Sequence, residues 1–119
     1  MNYVWIFIGG GLGSMLRFGI SDLLSKNEYT FPWATLIANF LASLILGYFL
    51  AMAIAGQGSD LKRALIMTGF CGGFSTFSTF SVESFQLIQE GQYAYAVANI
   101  LGSVIVCLIG VLIGYRLGS

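Results

Sequence analysis

Histidine is absent from this chain of 119 residues, proline occurs once, and 8% of the residues are charged, five basic against five acidic. So few charges cannot keep an ordinary globular domain of this size in water, because about a quarter of a typical soluble domain is charged. With no imidazole and no visible nucleophile–base pair, an enzyme is not expected. The two cysteines, Cys71 and Cys107, lie in apolar segments with no second thiol nearby in sequence. That pattern points to small buried side chains rather than to a metal site or a disulfide framework. No nucleic-acid partner is expected.

What is present is apolar: 57% of the chain is hydrophobic. Runs at about Tyr3–Leu24, Phe31–Ala55, Leu61–Ile88 and Tyr93–Leu117 are each near or above the roughly 20 residues that span hydrocarbon as a helix. The reading is an all-α membrane protein, one four-helix domain over residues 1–119 with the lipid bilayer as its solvent. The breaks SDLLSKNEYT, GQGSDLKR and QEGQ carry interfacial punctuation, and there is room for no extramembrane module. The start, MNYVWIFIGG, has no basic n-region and no small-residue cleavage site after it, so the first span is expected to be retained.

Four spans put both termini and the second loop on one side with Lys62, Arg63 and Arg116, and put Lys26 and Arg17 on the other. So slight a Lys/Arg bias leaves orientation open, and a chain inserting both ways could pair about a two-fold axis in the membrane plane. Small residues recur every fourth position at Ser43, Gly47, Ala51 and Ala55 and at Gly110, Gly114 and Gly118, and Gly9 with Gly13 makes a further pair. Such spacing lets helices approach closely in lipid, within one chain or between copies. Four short helices hardly enclose a pathway alone, so an oligomer is expected.

The stretch GFCGGFSTFSTFS, Gly69 to Ser81, packs three glycines, four phenylalanines and five hydroxyl side chains into thirteen residues. Gly72-Gly73 is poor helix material, and a break is expected near Gly72–Ser78. Non-helical backbone at membrane depth is tolerated where it is buried or lines a polar cavity, and its exposed carbonyls are ready ligands for a small hard cation such as sodium. Three-residue spacing puts Phe74, Phe77 and Phe80 on one helical stripe, with Ser75, Ser78 and Ser81 beside it. The intramembrane polar groups are Asn39, these hydroxyls, Asn99 and Ser103, with no ring of carboxylates to attract cations. Amide and hydroxyl protons and the electropositive edges of phenyl rings suit a small anion. Serine and threonine also bond back to their own helix carbonyls, and phenylalanine packs, so the residues alone leave a pore and a plain helix contact both open.

The thirteen-residue stretch resembles the signature of the Fluc (CrcB) fluoride channels, close to GFxGGxTTFSTFS. GGGLGSMLRF, Gly9–Phe18, is similar to that family's glycine-rich first helix ending in arginine, and FPWATLIAN, Phe31–Asn39, to its PxGTLxVN segment. Length and four-span layout agree over essentially the whole chain. The resemblance implies an antiparallel, dual-topology homodimer in a bacterial inner membrane, with two fluoride pathways and passive fluoride export. It further implies a structural sodium ion at the dimer centre, held by the backbone carbonyls of Gly72 and Ser75. Matched by position, Phe77, Phe80 and Asn39 fall on pore-lining residues, and Thr35, Thr79 and Ser103 on or near a polar track. Arg17 and Glu83 match vestibule charges; read without the family, they are a snorkelling anchor and a solvated residue near a helix end.

The chain departs from the family pattern at Ser75, where threonine is usual, at Asn99, where tyrosine is common, at Cys107, and at Ala42-Ser43 in place of glycines. Two other classes share some features. Small multidrug transporters of dual topology need an intramembrane carboxylate in the first helix, which the first span does not offer. A structural assembly protein would use the glycines but has no need of Asn39 and five hydroxyls beside phenylalanines.

Overall fold

A chain that is apolar for whole spans can satisfy its backbone in hydrocarbon only by bonding within each segment, and helices follow. The computed structural model describes residues 2–25, 32–56, 63–75 and 77–119. Lys26 and Lys62, the expected span starts Phe31 and Leu61, and the Thr76 hydroxyl lie outside them. Helix α1 runs Asn2–Ser25 and α2 runs Trp33–Ile54, the latter opening directly after the single proline, Pro32. Arg63–Cys71 (α3) is wound as a π-helix, a form usually confined to one turn. Gly72–Phe74 (α4) continues it, and Phe77–Gln89 (α5) and Tyr93–Gly118 (α6) complete the chain. Among the described residues four stretches are long and apolar enough to cross a membrane: Tyr3–Leu24, Trp33–Ile54, Leu65–Gln89 and Tyr93–Gly118. The longest dimension, 48 Å, exceeds the roughly 30 Å hydrocarbon core.

The turns use glycine where the backbone is left-handed. Gly91, at φ 77°, closes α5: its N–H donates to Ile88 O (3.1 Å) while the N–H of Gln92 donates to Leu87 O (2.8 Å). This is the paired bonding of a Schellman cap, and it folds α5 back onto α6. Gly56, at φ 80°, ends α2 in the same backbone region.

Helices pack as two seams. α2 lies along α6, α1 lies along α3 and α4, and α5 packs mainly on α6. Both seams are contacts of bare backbone. A Cβ on Gly47 would strike Val111 O and come within 3.0 Å of Tyr115 N, and one on Gly114 would strike Leu44 O. Across the other seam a Cβ on Gly9 would strike Leu65 O, one on Gly13 Phe70 O, and one on Gly73 Gly10 O. The four-residue glycine spacing therefore serves packing within one chain, which removes it as a reason to expect a second copy. Where the seams meet, Ala38, Ala42, Cys71 and Phe74 form a buried core, flanked by Ile20, Ile45, Leu46 and Phe70.

Three expectations are corrected. Phe74 does not share a stripe with Phe77 and Phe80: α4 ends at Phe74 and Ser75 is extended (φ −90°, ψ 155°), so three-residue phasing does not carry across. Phe74 is buried beside Phe70, ring centroids 5.6 Å apart, while Phe77 is exposed. Gly72-Gly73, poor helix material by sequence, is nonetheless helical, and the extended residue is Ser75. Finally, the first span does contain a carboxylate: α1, Asn2–Ser25, includes Asp22, which is exposed near the helix end.

The seams predict a contrast between neighbours. Gly13→Ala places a methyl against Phe70 O and 2.7 Å from Phe74 N and is expected to abolish the monodisperse detergent-solubilised protein. Gly11→Ala meets nothing within 4 Å. It is expected to keep the size-exclusion profile, with a thermal midpoint no lower than the parent's, because alanine is favoured over glycine in a helix by about 1 kcal/mol.

Candidate functional site

The end of α4 builds the first wall of a recess. Ser75 donates its N–H (3.0 Å) and its Oγ–H (2.8 Å) to Cys71 O, which caps the turn while the chain leaves the helix. α5 restarts at Phe77 with Phe77 and Phe80 stacked at 5.6 Å and tilted by 42°. These two rings and Ser75 face Asn39 and Ser43 from α2 and Ser103, Val104 and Cys107 from α6 across a volume of about 270 Å³. No lining residue carries a charge. The walls offer an amide, hydroxyls, a thiol and ring edges, a set that can surround a small anion with hydrogens.

A second recess, of about 200 Å³, lies between Arg17, Phe18 and Ser21 of α1, Ala34 and Thr35 of α2, and Thr79 and Glu83 of α5. The Thr35 hydroxyl donates to the Glu83 carboxylate. The other carboxylate oxygen, Oε1, is buried without a hydrogen-bond partner among the described residues. Glu83 is thus a half-buried group in the middle of α5, not the solvated helix-end residue that the sequence allowed.

The expected residues therefore fall into two groups within one chain. Asn39, Ser75, Phe77, Phe80 and Ser103 border the first recess, and Arg17, Thr35, Thr79 and Glu83 the second. Gly72 borders neither and is exposed. Ser78 and Ser81 are exposed, and Ser81 bonds back to Phe77 O at 2.9 Å, so they do not extend the lining.

Behind the first recess lies a buried polar chain that no single segment announces. Asn99, 1% exposed, donates from Nδ2 to Ser84 Oγ (2.8 Å), and Ser84 donates in turn to Phe80 O (2.9 Å). Ser103 donates to Asn99 Oδ1 at 3.3 Å. Ser84 was not among the expected site residues. The signal that could have found it is its place one helical turn beyond Phe80, on the same face of α5.

Residues 4–115 match the family described as CrcB-like protein, Camphor Resistance (CrcB). The chain is similar to a protein of Opitutus terrae named fluoride-specific ion channel FluC, 41% identical over 118 residues that cover 95% of this chain and 89% of that protein. Proteins of the same name from Pyrococcus abyssi and Coxiella burnetii are 44% and 38% identical, over 94% and 99% of this chain and 91% and 98% of theirs.

The second recess makes a prediction of its own. Thr35→Val keeps the side-chain shape but leaves the Glu83 carboxylate without its hydroxyl donor. Stability in detergent is expected to fall by about 1–3 kcal/mol, the cost of an unpaired buried polar group, measured by thermal unfolding.

Proposed function

The chain belongs to the CrcB family, and on that premise we propose that it is a fluoride-selective ion channel that lets fluoride leave the cell passively and so lowers its internal concentration. It is a multi-pass membrane protein and not an enzyme. One observation carries the reading to residues: Asn39, Ser103 and the Phe77–Phe80 pair border one recess that holds no carboxylate. Fluoride is a small, strong hydrogen-bond acceptor, and an uncharged lining of amide and hydroxyl groups and ring edges favours it over a larger halide. Hydrofluoric acid enters cells uncharged from an acidic exterior and ionises inside. A negative interior then drives the anion out by about 2.3 kcal/mol per 100 mV, without ATP.

In this reading Thr35, Thr79 and Ser103 extend the polar track, and Arg17 draws the anion into the second recess, where Glu83 sets the local field. The third span is broken between α4 and α5, a role favoured by the extended backbone of Ser75. The functional unit is an antiparallel, dual-topology homodimer in the bacterial inner membrane. Broad apolar faces, with Tyr3 85% and Phe7 81% exposed, suit lipid and a second copy alike.

A structural, untransported sodium ion fits the donors available. The last carbonyls of a helix have no partner further along it, and neutral main-chain oxygens such as those of Gly72 and Ser75, where α4 ends, suit a hard monovalent cation. Bound there, the ion would supply fixed positive charge joining the two copies. A proton-coupled multidrug transporter is disfavoured, because the carboxylate of α1, Asp22, stands near the helix end rather than at mid-depth.

Purified protein in liposomes is expected to release fluoride rapidly when valinomycin and potassium balance the charge, with chloride far slower, both followed by ion electrodes. Equal rates for the two halides would overturn the reading. Phe80→Ile keeps an apolar group but removes the ring edge, and flux is expected to fall by about tenfold while assembly persists.

The sodium assignment has a separate test. Ser75→Ala and Ser75→Thr are expected to conduct, because neither alters the carbonyl. A Cβ at Gly72 meets no atom of its own chain within 4 Å, so loss of flux or dimer in Gly72→Val would report on a second copy. Replacing sodium by a large organic cation is expected to slow fluoride release. Harmless Gly72→Val and harmless sodium removal, together with a dead Ser75→Ala, would move the Ser75 hydroxyl into the anion path instead.

A further inference from the structure

The buried chain Ser103–Asn99–Ser84–Phe80 has a direction. Ser84 spends its only proton on Phe80 O, so its oxygen must accept from Asn99, and the amide therefore turns Nδ2 toward Ser84 and Oδ1 toward Ser103. Ser103 in turn spends its only proton on Oδ1. Ser103 borders the recess, yet in this state its oxygen offers the recess lone pairs alone, which repel an anion.

The chain is also reversible. Rotating the Asn99 amide by half a turn lets Ser84 donate to Oδ1, lets Nδ2 donate to Ser103 Oγ, and leaves the Ser103 proton free for the recess. Phe80 O loses the Ser84 hydroxyl but keeps the helical N–H of Ser84, so nothing on α5 is left unpaired. All three bonds are exchanged in the reversal, and the Ser103–Asn99 bond, 3.3 Å against a usual 2.7–2.8 Å for O–H···O, is the weakest of them.

We propose that Asn99 is a positioning residue whose amide turns over when an anion enters the recess, reversing the chain so that Ser103 donates its hydroxyl to the anion. The inference rests on the proposed fluoride pathway through that recess. Asn99 never touches the anion. It polarises Ser103 from behind, and each bond in the reversed chain strengthens the next.

The test is fluoride efflux from liposomes as a function of fluoride concentration, for the parent, Asn99→Leu, Ser103→Ala and the double variant. Asn99→Leu is expected to raise the half-saturating fluoride concentration by about tenfold, the factor that one charge-assisted hydrogen bond is worth. On the Ser103→Ala background the same change is expected to add nothing, because both variants remove one interaction. A residue that only holds α5 to α6 would lower maximal flux at an unchanged half-saturating concentration, and that result, or additive effects, overturns the proposal.

The parent supplies a second measurement, independent of whether Asn99→Leu assembles. With asparagine side chains labelled with nitrogen-15, the Asn99 amide resonances are expected to move when sodium fluoride replaces sodium chloride, and to stay fixed in Ser103→Ala. Resonances unmoved in the parent overturn the proposal. A parent that carries no fluoride overturns the channel reading and this inference with it; a conducting parent with unshifted variants overturns this inference alone.

Discussion

Everything in this chain depends on backbone touching backbone at a few glycines. In lipid there is no hydrophobic drive to press one helix on another, so association rests on close packing and on polar contacts between helices. Gly9, Gly13 and Gly73 let α1 meet α3 and α4, and Gly47 and Gly114 let α2 meet α6. A single methyl at most of these positions would overlap a carbonyl. The two seams fix α1, α2 and α6, which with α5 supply walls of the two recesses.

With the seams held, the first recess takes its shape from the end of α4 at Phe74 and the extended Ser75. Ser75 caps one helix through Cys71 O and is itself extended, and the restart at Phe77 turns the two following phenylalanines away from the core that Phe74 occupies. Four phenylalanines of one short stretch thereby divide their labour. Phe70 and Phe74 pack, and Phe77 and Phe80 border a polar recess. Ser75 and Ser81 of that stretch, and Ser84 just beyond it, do what serine does in any apolar helix and bond back one turn. Ser84 alone among these three also accepts a proton from another helix, and it links the rings of α5 to α6. On the proposed reading, a recess without charge, backed by polar groups, discriminates by hydrogen bonding at little electrostatic cost, which suits passage rather than tight retention.

Much of this was legible in the order of residues. The length of an apolar run sets whether a helix can cross hydrocarbon, so all four spans could be placed from sequence, with ends differing by a few residues. Four-residue glycine spacing marked helix contacts, and Gly72-Gly73 with the following hydroxyls marked where helix would be hard to continue. The family resemblance grouped Asn39, Phe77, Phe80, Ser103, Thr35 and Thr79 as one pathway; the first four border one recess and the last two border the other. What sequence could not say was which surfaces meet. The same glycine spacing serves a contact within one chain or between two, and only the path of α1 past α3 and of α6 past α2 assigns it to the chain itself. Phe74 was misplaced because stripe arithmetic holds only while the helix is continuous. Ser84 and Asn99, fifteen positions apart, become partners because Gly91 reverses the chain between them and lays α6 against α5. A hydrogen bond needs its two atoms within about 3 Å, and that distance is set by the seams and the turn, not by any property of the two residues in isolation.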